Sequence, residues 1–272
     1  MNTISTFVKR YQLVVFFVLA FAFAWFFWIG YAIGKSPIPI FAGGPLVAAF
    51  VVTAIVGGKR GLIEWASRIV RWRVHVVWYA VALLLPIAVT LVAVYANVAL
   101  GAPTPQVSLL TALPGLGITF LIFLVNPLGG PLGEEPGWRG FALPRMLRTQ
   151  NAIVASLVLG VIWAAWHLPL FVTSIYGSPL PRVSTIIAEA ILYTWLFKHT
   201  CGSVLLAILF HASIDTFTGF FFAQYAGVDL DRLLWLYAAL DWIVALIVIA
   251  MLGLNLARKP TPEAPVELAL RI

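Results

Sequence analysis

The chain has 272 residues, of which 62% are hydrophobic and only 10% are charged. A soluble domain of this size needs far more surface charge, so the composition excludes an ordinary globular protein and indicates a polytopic membrane protein. The single cysteine, Cys201, excludes an internal disulfide framework. The formal net charge of +7 reflects membrane topology, as its distribution along the chain shows, and we expect no binding to nucleic acid.

Eight apolar segments have the length of membrane-spanning helices. A helix needs about 20 mainly apolar residues to cross the hydrocarbon core of a bilayer. We therefore predict an all-α membrane protein with spans at 13–33, 39–57, 76–99, 114–129 with a continuation through 134–147, 151–172, 184–199, 203–222 and 233–254. The candidate functional residues fall within the core segment 114–222.

The basic residues predict the orientation of these spans. If both termini are cytoplasmic, only Lys35, Arg182 and Arg232 lie on the external side of the membrane. The other 14 of the 17 Lys and Arg side chains then lie on the cytoplasmic side. The positive-inside rule therefore favours a single multi-pass domain over residues 1–272 in the cell membrane, with a short cytoplasmic tail at 258–272. The sequence does not predict an oligomeric state.

The segment 59–73 combines five cations with apolar residues at helical spacing. One interpretation is an amphipathic helix that lies on the anionic inner leaflet and contacts membrane lipid. The other is an ordinary cytoplasmic loop whose charges set the topology. The apolar residues in question are Leu62, Trp65, Ala66, Ile69 and Trp72.

A break is expected in the fourth span, because residues 126–137 contain three prolines and four glycines. Proline removes a backbone donor and clashes with the preceding helical turn. We expect the helix to restart near Glu134, with Pro136 in its first turn. Irregular backbone at membrane depth persists only where it is packed in protein or lines a cavity. The break therefore predicts a cavity beside Glu134.

Three charged residues follow this break. Successive helical residues point about 100° apart, so Glu134 and Glu135 cannot both face one reaction centre. Glu135 lies four residues before Arg139, the spacing at which opposite charges meet on one helix face. We therefore expect Glu135 to pair with Arg139 and Glu134 to face the cavity. The alternative is an ion cluster that only locks the broken helix.

Two histidines lie in later apolar segments at a matching depth. Glu134 lies sixteen residues before Gln150 and His167 sixteen residues after Asn151, so an antiparallel hairpin places both about 24 Å from its tip. The same helical rise per residue, counted from the turn near Cys201, places His211 about 13 Å into its own span. Asp215 follows it by four residues, on the same helix face. Each of these residues could instead be an ordinary buried polar contact between helices.

Together these side chains suit the activation of water. Glu134, desolvated in a membrane cavity, would act as the general base, and His167 and His211 would stabilise the oxyanion of an attacked amide. Alternatively, His167, His211 and Asp215 could hold a divalent metal such as zinc that polarises the water. The sequence leaves both possibilities open.

The ordered motifs resemble those of the CPBP family, which includes type II CAAX prenyl endopeptidases and bacteriocin-processing proteins. The resemblance rests on Glu134-Glu135-x-x-x-Arg139, on Trp163-x-x-x-His167 and on His211-x-x-x-Asp215. It implies an intramembrane protease of the CAAX type, a metalloprotease if zinc is bound, that acts on a peptide or lipidated-protein substrate near the cytoplasmic face. Glu134, His167, His211 and Asp215 would then be catalytic, and Glu135 and Arg139 would support them.

Two positions depart from the pattern of the prenyl-protein proteases, and two other functions are open. Trp163 stands where those enzymes commonly have Phe, and Asp215 where they commonly have Asn, which favours metal binding and weakens the case for a prenylated substrate. Glu189 is an unexplained intramembrane charge. One rival function is a non-catalytic membrane factor that binds a partner or a bacteriocin-like peptide. The other is a transporter, although no internal repeat is evident.

Overall fold

A computed structural model describes residues 3–37, 41–106, 109–172 and 177–257. All regular secondary structure in these ranges is helical, which confirms the predicted all-α class. The predicted cytoplasmic tail at 258–272 lies outside the described residues. In chain order the α-helices are α1 (Thr3–Arg10), α2 (Gln12–Ala32), α3 (Gly44–Ile69), α4 (Val76–Ala99), α5 (Leu109–Val125), α6 (Pro131–Gly137), α7 (Leu143–Met146), α8 (Ala152–Trp166), α9 (Leu168–Val172), α10 (Pro179–His199), α11 (Val204–Phe222) and α12 (Gly227–Ala257).

Five of these helices are long and apolar enough to cross a membrane, namely α2, α3, α4, α11 and the segment Gly227–Met251 of α12. Shorter apolar helices occur at Thr111–Val125 and at α8. The 21-residue helix α10 carries three charged side chains, Arg182, Glu189 and Lys198. A multi-pass membrane protein is therefore confirmed, while the count of eight spans and the cytoplasmic location of the termini stay predictions.

Three helices begin at least five residues earlier in the chain than their predicted spans. α5 begins at Leu109 rather than at residue 114, α10 at Pro179 rather than at 184, and α12 at Gly227 rather than at 233. The polar residues of the first turns of α12 continue the helix beyond its apolar part, and Arg232 Nη2 donates to Asp229 Oδ1 across 2.6 Å. Pairing at (i, i+3) supports a helix that an apolar-run criterion cannot detect.

The predicted break lies between α5 and α6, but its details differ from the expectation. The chain turns at Gly130, whose φ of 71° is in the left-handed region, and α6 begins at Pro131. Pro131 occupies the first-turn position, and Pro136 lies inside the helix, which corrects the prediction that Pro136 is in the first turn. A π-helical segment, Trp138–Ala142, follows directly. Because Pro136 has no backbone N–H, the regular hydrogen-bond ladder is interrupted just before this wider turn.

Glycines allow the broken helix to lie directly against its neighbours. A Cβ atom added at Gly137 would lie 2.4 Å from Cβ of Pro45 in α3. One added at Gly130 would lie 3.2 Å from Oδ2 of Asp215 in α11. These close approaches place the start of α6 between α3 and α11.

The basic segment 59–73 is helical as far as Ile69. Gly58, with φ 55° and ψ −151°, kinks α3, so residues 59–69 form a separate helical stretch. Trp65 Nε1 donates to the Pro136 carbonyl oxygen across 2.9 Å, and Arg68 donates to the Gly140 carbonyl oxygen. This stretch therefore braces the broken helix, and its predicted contact with lipid stays a prediction.

The helices that carry the motifs meet in the centre of the fold. α8 packs on α10, which packs on α12, and α11 packs on α4, α5 and α6. The π-helical segment contacts both α10 and α11. This arrangement brings residues from α6, α8, α10 and α11 into one buried region.

Candidate active site

Glu134 lies in the first turn of α6 with only 4% of its surface exposed. Its Oε2 accepts hydrogen bonds from Nε1 of Trp163, at 2.7 Å, and from Nε1 of Trp138, at 3.3 Å. The other oxygen, Oε1, accepts no hydrogen bond from the described residues and is not among the fully enclosed polar atoms. Two indoles therefore fix the carboxylate and leave Oε1 open to a water molecule.

Glu135 and Arg139 form the ion pair that their spacing predicts. Arg139 Nη1 lies 2.8 Å from Glu135 Oε1, and the two side chains are 1% and 0% exposed. The same oxygen accepts a hydrogen bond from Nδ1 of His211, also at 2.8 Å. Glu135 thus joins the broken helix to α11, which the spacing of the motifs alone did not predict.

The guanidinium of Arg139 lies between two aromatic rings. Its Cζ is 3.7 Å from the ring centroid of Tyr193 and 4.2 Å from that of Trp163. A cation over an aromatic face is attracted by the ring quadrupole, more strongly when water is excluded. Sequence reasoning missed Tyr193, because one aromatic residue in an apolar span carries no specific pattern.

His167 follows the last residue of α8 and is 3% exposed. Its Nδ1 lies 2.9 Å from the carbonyl oxygen of Trp163. A carbonyl only accepts, so Nδ1 carries a proton and donates, and in the neutral ring the lone pair is then on Nε2. The ring packs edge-on against Trp166, at 4.9 Å between centroids.

His211 and Asp215 lie on one face of α11, as their spacing predicts. Nε2 of His211 is 3.6 Å from Oδ2 of Asp215, while its Nδ1 is held by Glu135. The ring therefore has a carboxylate at each nitrogen. Such partners orient an imidazole.

Trp163 connects these groups. Besides its hydrogen bond to Glu134, its ring centroid lies 6.0 Å from that of His167 and 5.7 Å from that of His211. Glu134, His167 and His211 thus meet around this indole from three separate segments, while their common depth in the membrane stays a prediction.

A buried cavity of about 40 Å³ lies beside the histidines, walled by α8, α10, α11 and α12. It is lined in part by His167, His211 and Asp215. Glu134 is not among its lining residues, so the cavity expected beside Glu134 at the helix break stays a prediction. The carboxylate of Glu134 is turned toward the indoles of Trp138 and Trp163. Trp163 also lines the cavity.

Two charged residues from α10 complete the cavity wall. Glu189, the unexplained intramembrane charge, lines it, and so does Arg182. Arg182 lies in the first turns of α10, just before the span predicted at 184–199. Its predicted location on the external side of the membrane stays a prediction.

The arrangement does not fit a bound metal ion. In the described ranges, no three His, Cys, Asp or Glu side chains are placed so that they could hold one. His211 in particular has both ring nitrogens directed at carboxylates, whereas a ligand needs a nitrogen lone pair directed at the metal. The set His167, His211 and Asp215 expected for zinc is gathered around the cavity without forming a ligand cage.

Residues 116–217 match the family model described as type II CAAX prenyl endopeptidase Rce1-like. A curated relative, CAAX prenyl protease 2 of Methanococcus maripaludis, is 33% identical over 92 residues, which make up 30% of this chain. The match covers 34% of that relative, so the chain spans about a third of its length. The segment with the three motifs, from Glu134 to Asp215, lies within the matched residues, and this similarity supports the resemblance to the CPBP family.

Proposed function

We propose that this protein is an intramembrane endopeptidase in which Glu134 activates a water molecule for attack on a peptide bond. The observation that supports this most directly is the geometry of Glu134. One oxygen is fixed by two indole N–H groups, and the other is open in a site from which bulk water is largely excluded. A desolvated and fixed carboxylate is suited to general base catalysis.

The proposed reaction consumes one water molecule and needs no other reactant. Glu134 Oε1 takes a proton from water while the water oxygen bonds to the carbonyl carbon of the substrate. The resulting oxyanion is stabilised by an imidazole N–H. The candidate donor is Nε2–H of His211, whose distance of 3.6 Å from Asp215 Oδ2 is too long for a hydrogen bond, while His167 lines the cavity beside it. The tetrahedral intermediate then collapses, the C–N bond breaks, and Glu134 returns its proton to the departing amine nitrogen.

The remaining motif residues orient this machinery. Glu135 holds Nδ1 of His211 and at the same time neutralises Arg139. Asp215 faces the other nitrogen of His211. Together they fix the orientation of the imidazole, as a carboxylate does in other hydrolytic sites.

The substrate class is a second part of the proposal. The relative is named a CAAX prenyl protease, which makes a lipidated C-terminal peptide one candidate. A leader peptide and a membrane-embedded segment are the others, because Asp215 departs from the residue that prenyl-protein proteases commonly have. We propose that cleavage takes place near the cytoplasmic face, which is what the predicted topology with cytoplasmic termini implies.

The experiment is cleavage of quenched fluorescent peptides, prenylated and plain, by the purified full-length protein in detergent. Glu134→Gln removes the base with little change in shape, and Glu64→Gln is the control, since Glu64 is an exposed partner of Arg60 on α3. We expect cleavage by the wild type and by Glu64→Gln and its loss in Glu134→Gln. Full activity of Glu134→Gln would contradict the assignment.

The same assay separates the rival functions. Unchanged cleavage in the presence of a chelator is expected if Glu134 acts directly, and its loss would instead support a metallopeptidase. A folded protein that cleaves no peptide in the panel but binds one with unchanged affinity in Glu134→Gln would favour the non-catalytic binding role. No internal repeat or transport pathway gives comparable support to a transporter.

A further inference from the structure

Glu189 is a buried carboxyl group for which the proposed reaction has no use. It lies in the middle of α10, outside the three motifs, and is 5% exposed. No hydrogen bond to its carboxyl group is found among the described residues, and its side chain lines the cavity beside the histidines. Leaving a polar group without a hydrogen-bond partner in a protein interior is costly. A small polar molecule in the cavity would supply that partner.

The size and lining of the cavity indicate what that molecule is. Its volume is about 40 Å³, and a cavity needs roughly 10–15 Å³ by this measure to hold one water molecule. The wall includes the hydroxyl-bearing residues Thr185, Thr218 and Tyr237 as well as Asp215. Buried waters need two to four polar partners each, and this wall supplies them.

We propose that this cavity is an internal water site that supplies the hydrolytic water, with Glu189 as the residue that anchors it. The supply role rests on the proposed endopeptidase activity, whereas the occupancy by water does not. Within the bilayer, hydrolysis needs a local source of water, and Trp163 both lines the cavity and donates a hydrogen bond to Glu134. A water leaving the cavity past this indole arrives next to Oε1 of Glu134.

The occupancy of the cavity by water is tested without any substrate. In radiolytic footprinting, hydroxyl radicals formed from bound water modify nearby side chains even when they are shielded from bulk solvent. Tyr237, 2% exposed, lines the cavity, and Tyr193, 0% exposed and outside the cavity wall, is the internal control. We expect Tyr237 to be modified several-fold faster than Tyr193. Equal, slow modification of both would overturn the proposal.

Matched variants test the anchor and the volume. Glu189→Gln keeps a hydrogen-bonding group and Glu189→Leu removes it, while Thr185→Val keeps the volume of the side chain and Thr185→Leu fills the cavity. We expect the two Leu variants to lower both the labelling of Tyr237 and kcat, the latter by about tenfold. KM should be unchanged, and the Gln and Val variants should keep more labelling of Tyr237 and a higher kcat than the matched Leu variants. Normal labelling of Tyr237 in both Leu variants would contradict the assigned site.

Comparison of the two readouts separates the water site from the protease activity. Rapid labelling of Tyr237 that depends on Glu189, in a protein that cleaves no peptide, would leave the water site standing and count against the proposed function. Cleavage that is unaffected when labelling is lost would show that the hydrolytic water comes from elsewhere, and would overturn the supply role.

Discussion

The guanidinium carbon of Arg139 lies 3.7 Å from the ring centroid of Tyr193, a residue outside all three motifs. Arg139 is 1% exposed, and the carboxylate of Glu135 balances its charge. The faces of Trp163 and Tyr193 contact the guanidinium. Tyr193 also packs edge-on against Trp163 and against His211, at 5.6 and 5.9 Å between centroids. α10 thus contributes a positioning residue to a site whose proposed catalytic groups come from α6, α8 and α11.

The contact of Tyr193 with Arg139 predicts a difference between two variants. Tyr193→Phe keeps the aromatic face, so we expect near wild-type kcat and thermal stability. Tyr193→Leu removes a desolvated cation–π contact of about 2 kcal/mol, so we expect a lower melting temperature and a roughly tenfold lower kcat at similar KM. Thermal unfolding in detergent and peptide cleavage measure both effects. Equal loss in the Phe variant would show that the hydroxyl group, not the ring, matters.

The buried ion pair predicts a large loss of stability when one partner is neutralised. Glu135→Gln leaves Arg139 buried without a countercharge, which we expect to lower the free energy of unfolding by about 3–5 kcal/mol. Arg60 and Glu64 form an exposed pair at the same spacing, so Glu64→Gln is the control, with an expected change below about 1 kcal/mol. Denaturant unfolding in detergent compares the two. Similar values for both variants would contradict the structural role given to Glu135.

The hydrogen bond from Trp163 to Glu134 predicts an effect on catalysis. Trp163→Phe keeps a ring next to Arg139 but removes the indole N–H that fixes Oε2. A hydrogen bond to a charged group contributes about 1.5–3 kcal/mol, so we expect kcat to fall about tenfold or more. Trp242→Phe is the matched control, because its indole N–H bonds Ser184 away from the site. Unchanged kcat in Trp163→Phe would show that Trp138 alone can orient the base.

The close packing of α6 on α3 predicts that Gly137 tolerates no side chain. In Gly137→Ala the added methyl group would overlap Pro45, and overpacking of this kind costs about 1–3 kcal/mol. Gly219, in α11, has open space around its Cβ position, so Gly219→Ala should be neutral or slightly stabilising. Melting temperatures of the two variants test this. A neutral Gly137→Ala would mean that α6 can move away from α3 without loss of stability.

Several features of this protein were determined by the sequence alone. The apolar runs gave the helical class and the approximate course of the chain, because a helix in lipid must be long and apolar. The spacing of Glu135 and Arg139, and of His211 and Asp215, placed each pair on one helix face, since helical periodicity fixes that relation locally. The number of residues between each side chain and the nearest turn between helices also predicted that Glu134, His167 and His211 lie at one membrane depth, since a helix rises by a fixed distance per residue.

Only the tertiary structure decided which groups touch across helices. That Glu135 bonds His211, that Trp163 holds Glu134 away from the cavity, and that Tyr193 covers Arg139 depend on how α6, α8, α10 and α11 rotate and pack. Arg182 and Glu189 line the cavity for the same reason. Periodicity within one helix fixes a side chain's direction relative to its own helix axis. Its partner depends on the rotation and distance of neighbouring helices, which are set by packing and are not encoded in any one segment.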